Sequence, residues 1–380
     1  MDYSATTPLR PQARRAMAPF LDDVFGNPSS VHALGRDARL AVEDARRRLL
    51  ATLGAGEGRL VFTGSGSEAD NLAIVGFARR NPGGCIIRSS IEHKAVIAAT
   101  KALQAGGYDV RVAPVDGRGV VDVAALEKLV SSALDSTLVS VMWANNETGV
   151  IQPVSKIAEL CRVHGAVFFS DAVQAFGKVP VAPLDVGVDM IALAAHKLGG
   201  PKGVGALVTG RAMDLEPVIY GGGQEYGLRA GTENVAGLAG FAAAAEAAAE
   251  DLGGEAARLS SLRDQLEAGL LSELPEIVIN GSDAPERLPN VLSVSVPDVD
   301  IEGLLTSLDL ERLCVSSGSA CTTGSVEASY VMQAMGREGD YATNTIRISL
   351  GWETEADDVE YVVDIFPKLV RRVREYYKRP

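Results

Sequence analysis

Several things are scarce in this sequence, and each scarcity excludes something. No apolar run approaches the about 18 residues that a membrane-spanning helix needs. The nearest candidate, Val235 to Ala249, is alanine-rich and interrupted by Glu246. The opening Met1-Asp2-Tyr3-Ser4-Ala5-Thr6-Thr7-Pro8 has neither the basic start nor the apolar stretch of a secretion signal, so a soluble, cytoplasmic protein is expected. Cysteine is rare too: Cys85, Cys161, Cys314 and Cys321 form no C-x-x-C pair and are too few for a disulfide framework. The histidines His32, His93, His164 and His196 make no ligand spacing with them, so no metal site is expected. Any cysteine that matters should act alone, as a thiol. Positive charge is also short, with 36 Lys and Arg against 49 Asp and Glu and a net charge of -13. That balance opposes contact with nucleic acid or an anionic membrane, and neither partner is expected.

What is present describes a folded protein. The 380 residues allow roughly two domains, and 47% hydrophobic with 22% charged residues excludes wholesale disorder. Short apolar runs alternate with helical patterns. Leu60–Thr63, Cys85–Arg88, Val110–Val115, Thr137–Trp143 and Ala166–Phe169 read as strands. Helices are expected from Glu68 to Arg80, from about Lys94 to Ala105, and from Val154 to His164. This alternation predicts an α/β fold whose sheet is covered on both faces. Near residue 250 the texture changes to a long Ala/Glu-rich helix running on to about Glu273, with a break expected at Gly253-Gly254. Ile277–Ile279, Val291–Val296 and Ile346–Ser349 read as later strands. A large domain over 12–250 and a small one over 251–380 are expected, joined by an arm of residues 1–11. The last helix carries the basic run Lys368, Arg371, Arg372, Arg374, Lys378 and Arg379, read as a solvated face or a docking surface.

Three places carry chemistry. Gly64-Ser65-Gly66-Ser67 lies between a strand and a helix, where unpaired N–H groups and the helix dipole favour an anion. Alone, an ordinary serine-capped turn would read the same. Asp171 follows an apolar strand directly, with Gln174 after it, and ligands in α/β sheets sit beyond the carboxyl ends of strands. An aspartate there either caps the next helix or pairs with a cation. His196-Lys197 ends the apolar run Met190–Ala195 and precedes a Gly/Pro-rich turn. A lysine so enclosed loses basicity and becomes a usable Schiff-base nucleophile, although strand-end lysines are also common at surfaces. A phosphate turn, an aspartate for a pyridinium nitrogen and such a lysine, in that order, are the parts pyridoxal phosphate needs. No G-x-G-x-x-G with a downstream acid is present, which disfavours a dinucleotide.

At this point the chain resembles class V pyridoxal phosphate enzymes of the NifS/IscS cysteine desulfurase type. The resemblance rests on Asp2–Pro8, Phe25–Ser30, Phe62–Asn71, Glu92-His93-Lys94, Asn145–Val150, Asp171–Gln174 and His196-Lys197. It continues through Gly221–Glu225, Arg229–Thr232, Ser316–Thr322 and Ile346–Gly351, over essentially the whole chain. It implies the fold-type I architecture: a large domain with a mainly parallel sheet of about seven strands, plus a smaller C-terminal α/β domain. It implies Lys197 as the Schiff-base lysine, Asp171 at the pyridinium nitrogen, Gln174 at the ring hydroxyl, and His93 stacked on the ring and assisting proton transfer. Gly66, Ser67 and His196 would hold the phosphate, with Thr232 entering from the neighbouring subunit of a homodimer. Asn146 and Arg347 would grip the carboxylate of L-cysteine.

Cys321 lies in Val315–Ser325, a stretch of Ser, Gly, Thr and Ala expected to be mobile, where a thiol could take up sulfur and pass it on. The resemblance makes it the persulfide carrier, whose sulfur would go to an acceptor or scaffold protein for iron–sulfur clusters, thio-cofactors or tRNA. Cys314, Cys85 and Cys161 read as buried apolar residues. Relatives usually have serine where Ala194 stands, and often Ser-Gly-Ala-Thr where this chain has Gly64–Ser67. The sequence ends at Pro380, short of the tail some relatives use for docking, which leaves the partner surface open. Selenocysteine lysis, transamination and a slow scaffold role remain alternatives.

Overall fold

The computed structural model describes residues 1–133, 136–210, 213–318 and 327–377. Its main sheet joins β1 (Arg59–Thr63), β2 (Cys85–Ser89), β3 (Asp109–Ala113), β4 (Thr137–Ser140), β5 (Val167–Asp171), β6 (Met190–Ala194) and β7 (Gly205–Thr209). The order across this seven-stranded sheet is β1-β7-β6-β5-β4-β2-β3. Pairing is parallel from β3 through β2, β4 and β5 to β6, and β7 alone runs against its neighbours.

The strand sequences explain the layering. Side chains alternate between faces, and here both faces are apolar. Leu60, Ile87, Val139, Phe168 and Ile191 pack on one side. Val61, Ile86, Leu138, Phe169 and Ala192 pack on the other. Phe168 and Phe169 are both 0% exposed, so adjacent residues fill two different cores. Each such ring contributes about 1.5–3 kcal/mol by leaving water. A helix Gly66–Arg80 follows β1, Lys94–Ala105 follows β2, and Val154–His164 precedes β5.

Some boundaries differ from the sequence reading. The first of these helices begins at Gly66, not Glu68, because the Ser65 hydroxyl accepts from the Glu68 N–H at 3.1 Å and starts the turn earlier. β4 ends at Ser140, although Val141 and Trp143 still donate to the carbonyls of Phe169 and Asp171 on β5. No helix follows Asp171: its Oδ1 accepts from the Val173 N–H at 2.9 Å and closes a local turn instead of capping. The long C-terminal helix breaks at Glu250-Asp251, not at the glycines, giving Val235–Ala249 and Leu252–Glu273. Asp251 accepts from Gly254 N at 3.2 Å, which places both glycines inside the new first turn.

The later residues form an antiparallel sheet of β8 (Val278–Ile279), β9 (Val291–Ser295), β10 (Ser316–Ser317) and β11 (Thr345–Ser349), ordered β10-β11-β9-β8. Its core gathers leucines of Leu252–Glu273 and Ile301–Leu310 with Val362, Phe366 and Val370 of the helix Ala356–Tyr377. On that last helix Lys368, Arg371 and Arg374 pair with Asp364, Glu273 and Glu276, so these members of the basic run are self-paired, Lys368 and Arg371 on a solvated face and Arg374 mostly buried. The N-terminal arm crosses between the two sheets. Tyr3 and Ser4 N–H groups reach Ser349, while Thr7 N donates to His196 O at 3.0 Å. A side chain at Gly351 would collide with the Tyr3 ring, so only glycine lets the arm lie this close. Among the described residues no helix is long and apolar enough to cross a membrane.

Candidate active site

The carboxyl ends of β1, β2, β4, β5 and β6 open into a cavity of about 320 Å³. Ser65 to Ser67 come from the turn after β1, and His93 begins the helix after β2. Asn146 follows β4, Asp171 to Gln174 end β5, and Ala194, His196 and Lys197 follow β6. The arm adds Ser4 and Ala5, and Arg347 enters from β11. A cleft beyond parallel strand ends is where α/β sheets bind ligands.

Lys197 stands where fully buried β6 stops, in a single short turn Ala195–Lys197. Its Nζ donates to the carbonyls of Ser4 and Ala5 at 2.7 and 2.8 Å. Burial, and then Arg347, bring its pKa down to about 8, against the opposing pull of Asp171 and Asp2. A usable fraction of free amine therefore exists near neutrality. Beside it, burial and the neighbouring lysines hold His196 down to about 4, so its ring is neutral, with Nδ1 3.2 Å from Thr6 Oγ1. Gln174 Nε2 donates to Ser4 O at 3.0 Å, and Lys178 Nζ donates to Gln174 Oε1 at 3.2 Å, which sets the amide's orientation.

Across the cavity, ligand atoms of Asp70, His93 and Asp171 lie within 4.8 Å of one another. Burial raises the pKa of both carboxyls, and Asp70 is pushed further by Asp171 and Glu92. Asp70 Oδ1 has no hydrogen-bond partner. His93 Nδ1 accepts from Ala95 N at 3.2 Å, so Nε2 is the nitrogen free to act. Two carboxyls buried this closely favour a cationic guest.

Arg347 owes its direction to strand alternation: Ile346 and Ile348 fill the C-terminal core, so the residue between them turns away from it. Its Nη1 donates to Asn146 O at 2.7 Å and its Nη2 lies 3.2 Å from Asp2 Oδ1. Arg347 Nε and Asn146 Oδ1 are buried without partners. Unspent donors and acceptors of this kind suit a small zwitterion with a carboxylate and an amine.

The cavity thus brings together Gly66, Ser67, His93, Asn146, Asp171, Gln174, His196, Lys197 and Arg347. Thr232 is exposed and lies outside the cavity of its own chain. Cys321 falls outside the described residues. Cys314 corrects the sequence reading: it is exposed, because its neighbour Leu313 takes the buried position. Cys85 and Cys161 are buried, and burial raises their thiols to about 11 and about 12. The sequence reading missed Asp70, Ser4 and Ala5 as wall residues. Asp70 had a signal, being an acid among Ala69, Ala73, Ile74 and Phe77 on the buried side of its helix. The arm's carbonyls had none.

Pyridoxal phosphate fits this donor set. The first turn of the helix at Gly66 leaves N–H groups for a phosphate, with the Ser67 hydroxyl beside them. A Cβ at Gly66 would come within 2.8 Å of Val173 Cγ2, so a larger residue there would need that valine side chain to shift. Asp171 offers a buried carboxyl and Lys197 an enclosed amine in the same cavity, the chemistry a pyridinium nitrogen and an aldehyde call for.

The aminotransferase class-V family pattern matches residues 1–362. The chain belongs to that family. Its members, cysteine desulfurases among them, depend on pyridoxal phosphate. The chain is 40% identical to a cysteine desulfurase IscS of Dictyoglomus turgidum, over 98% of this chain and 95% of that one. It is 42% identical to a cysteine desulfurase of Cereibacter sphaeroides, over 98% and 96% of the two chains. Among solved structures, a NifS-like protein from Rickettsia africae superposes with a TM-score of 0.88 at 32% identity, covering 97% of this chain and 98% of the other. The α/β architecture with its mostly parallel seven-stranded sheet is that of fold-type I enzymes.

Proposed function

We propose that the chain is an L-cysteine desulfurase, giving L-alanine and an enzyme-bound persulfide. The observation that carries the reading is the enclosed Lys197 amine between Asp171 and Arg347, in a chain that matches cysteine desulfurases from end to end. The cofactor, when bound, supplies an electron sink that makes the substrate α-proton acidic. Arg347 and Asn146 bind the substrate carboxylate and orient the α-carbon towards Lys197. The Lys197 amine, held by the Ser4 and Ala5 carbonyls and with its pKa lowered to about 8, is the group that would hold the cofactor and would take and return the substrate α-proton. Asp171 would hold the ring nitrogen's proton, Gln174 would bond the ring oxygen, and His93 would lie against the ring and relay protons. Gly66, Ser67 and His196 take the phosphate.

The Cys321 thiolate attacks the substrate sulfur. An S–S bond forms as the carbon–sulfur bond breaks, and its electron pair stays on carbon. The carbon gains one proton, matching the one lost by the Cys321 thiol, and the sum is alanine plus persulfide. Thr232 completes the phosphate site of a second copy; its exposure supports this, as do the exposed Leu21, Phe25, Val31 and Leu40 of the same chain. The sulfur passes to an acceptor protein serving iron–sulfur cluster, thio-cofactor or tRNA synthesis. A reducing compartment such as the cytoplasm suits an enzyme whose described cysteines are all free. Cys321→Ser should stay yellow yet lose cysteine turnover by orders of magnitude, while exposed Cys314→Ser keeps it. Alanine release together with mass mapping of the persulfide decides this, and a persulfide on Cys314 would overturn the assignment.

A further inference from the structure

The arm residue Asp2 occupies a position that the reaction above does not use. Its backbone is bridged to Ser349 beside Arg347, so its side chain is delivered to a fixed place. One carboxylate oxygen lies 3.2 Å from Arg347 Nη2, a single contact in place of the paired contacts a guanidinium fork can make. Ser316 Oγ lies 2.9 Å from both oxygens, so its one proton is shared between them. Ser316 is the β10 residue paired directly across from Arg347. The guanidinium itself is tethered, since Nη1 is held by Asn146 O at 2.7 Å, and its buried Nε has no acceptor.

We propose that Asp2 is an internal stand-in for the substrate carboxylate, neutralising Arg347 until an incoming amino acid takes its place. This rests on the reading of Arg347 as the carboxylate-binding residue. Displacement costs little, because Asp2 keeps its shared hydrogen bond from Ser316 when it leaves the arginine. A ligand with a carboxylate regains that cost through a bidentate grip that also reaches the unpartnered Nε, whereas an amine without one leaves Arg347 paired with Asp2. Asp2 is therefore a positioning residue, one that raises the concentration at which carboxylate ligands bind and narrows their advantage over amines that lack one.

The test uses the cofactor-loaded protein and a matched pair of ligands. L-Alanine and ethylamine differ by the carboxylate alone, and each is titrated by its effect on the cofactor's visible spectrum. In Asp2→Asn, which keeps an acceptor for Ser316, the Kd for alanine should fall about five-fold, equivalent to about 1 kcal/mol. The Kd for ethylamine should not change. Asp2→Ala should shift the ratio of the two affinities the same way, even if the lost Ser316 contacts lower its melting temperature. Equal shifts for both ligands, or none for alanine, would overturn the proposal. Arg347→Lys separates the two readings: if it leaves alanine binding intact, the carboxylate assignment itself fails; if it weakens alanine while Asp2→Asn does nothing, only the role of Asp2 fails.

Discussion

The two sheets hold their functional residues in different ways. In the main sheet, β5 and β6 lie at the centre with both faces covered, and Asp171 and Lys197 stand where those strands stop. Their positions are set by packing on all sides, because moving either strand by one residue would send each side chain into the opposite core, shaped for a different neighbour. In the small sheet, β10 is a two-residue edge strand, and Arg347 faces outward opposite it. Its contacts are polar: the Asn146 backbone carbonyl and the carboxylate of Asp2 on the arm. Groups that must stay still are thus built on the buried centre, and the group that must trade one carboxylate for another sits by an edge.

This contrast can be broken at the centre first. Lys197→Ala should abolish the yellow cofactor band and reduce turnover by orders of magnitude, with little change in the melting curve of the cofactor-free protein. A variant that stayed yellow would place the amine elsewhere. At the edge, Arg347→Lys should keep the colour and raise KM for cysteine by about ten-fold or more, since a point ammonium cannot replace the fork. Steady-state kinetics on the yellow variant separate the two effects.

A third experiment concerns the floor of the centre. Glu92 is fully buried, its Oε1 accepting from Ser89 Oγ at 2.5 Å and Met142 N at 2.9 Å. Burial raises its pKa from 4.5 to about 8. Between those values the folded chain binds more protons than the unfolded one. The stability this confers is therefore complete below 4.5 and is lost as pH rises through about 8. Glu92→Gln keeps both acceptor bonds and removes the titration. Its stability relative to the parent should climb across that window, by up to a few kcal/mol, in denaturant melts at several pH values. A flat difference would mean that Glu92 titrates normally. The smallest effect is expected at Ala194, whose side chain lines the cavity beside Gly66. Ala194→Ser should tighten cofactor binding several-fold, as one neutral hydrogen bond of roughly 0.5–1.5 kcal/mol would. Equilibrium dialysis of pyridoxal phosphate reads it.

What the sequence determined alone is the set of buried strands and the residues placed at their ends. Unbroken apolar runs such as Val167–Phe169 and Met190–Ala195 have nowhere to go but the middle of a sheet. A charged residue at the end of such a run is then delivered to the ligand cleft, which made Asp171, His196 and Lys197 legible from their neighbours. Arg347 was reached only through the family resemblance, and its direction away from the core became clear once Ile346 and Ile348 were seen packed in it. Tertiary structure decided the rest. Ser4 and Ala5 serve Lys197 through backbone carbonyls, which every residue carries, so no side-chain pattern announces them. Asp70 matters because a helix from one βα unit sets it against the end of another strand, 101 residues along the chain at Asp171. Cys314 was misplaced because two apolar neighbours do not say which way a residue in a connecting segment turns, and only the packing of Leu313 settled it. Local pattern fixes what is buried along a strand, while contacts between distant segments, each worth little until the chain has closed, fix what meets across the cleft.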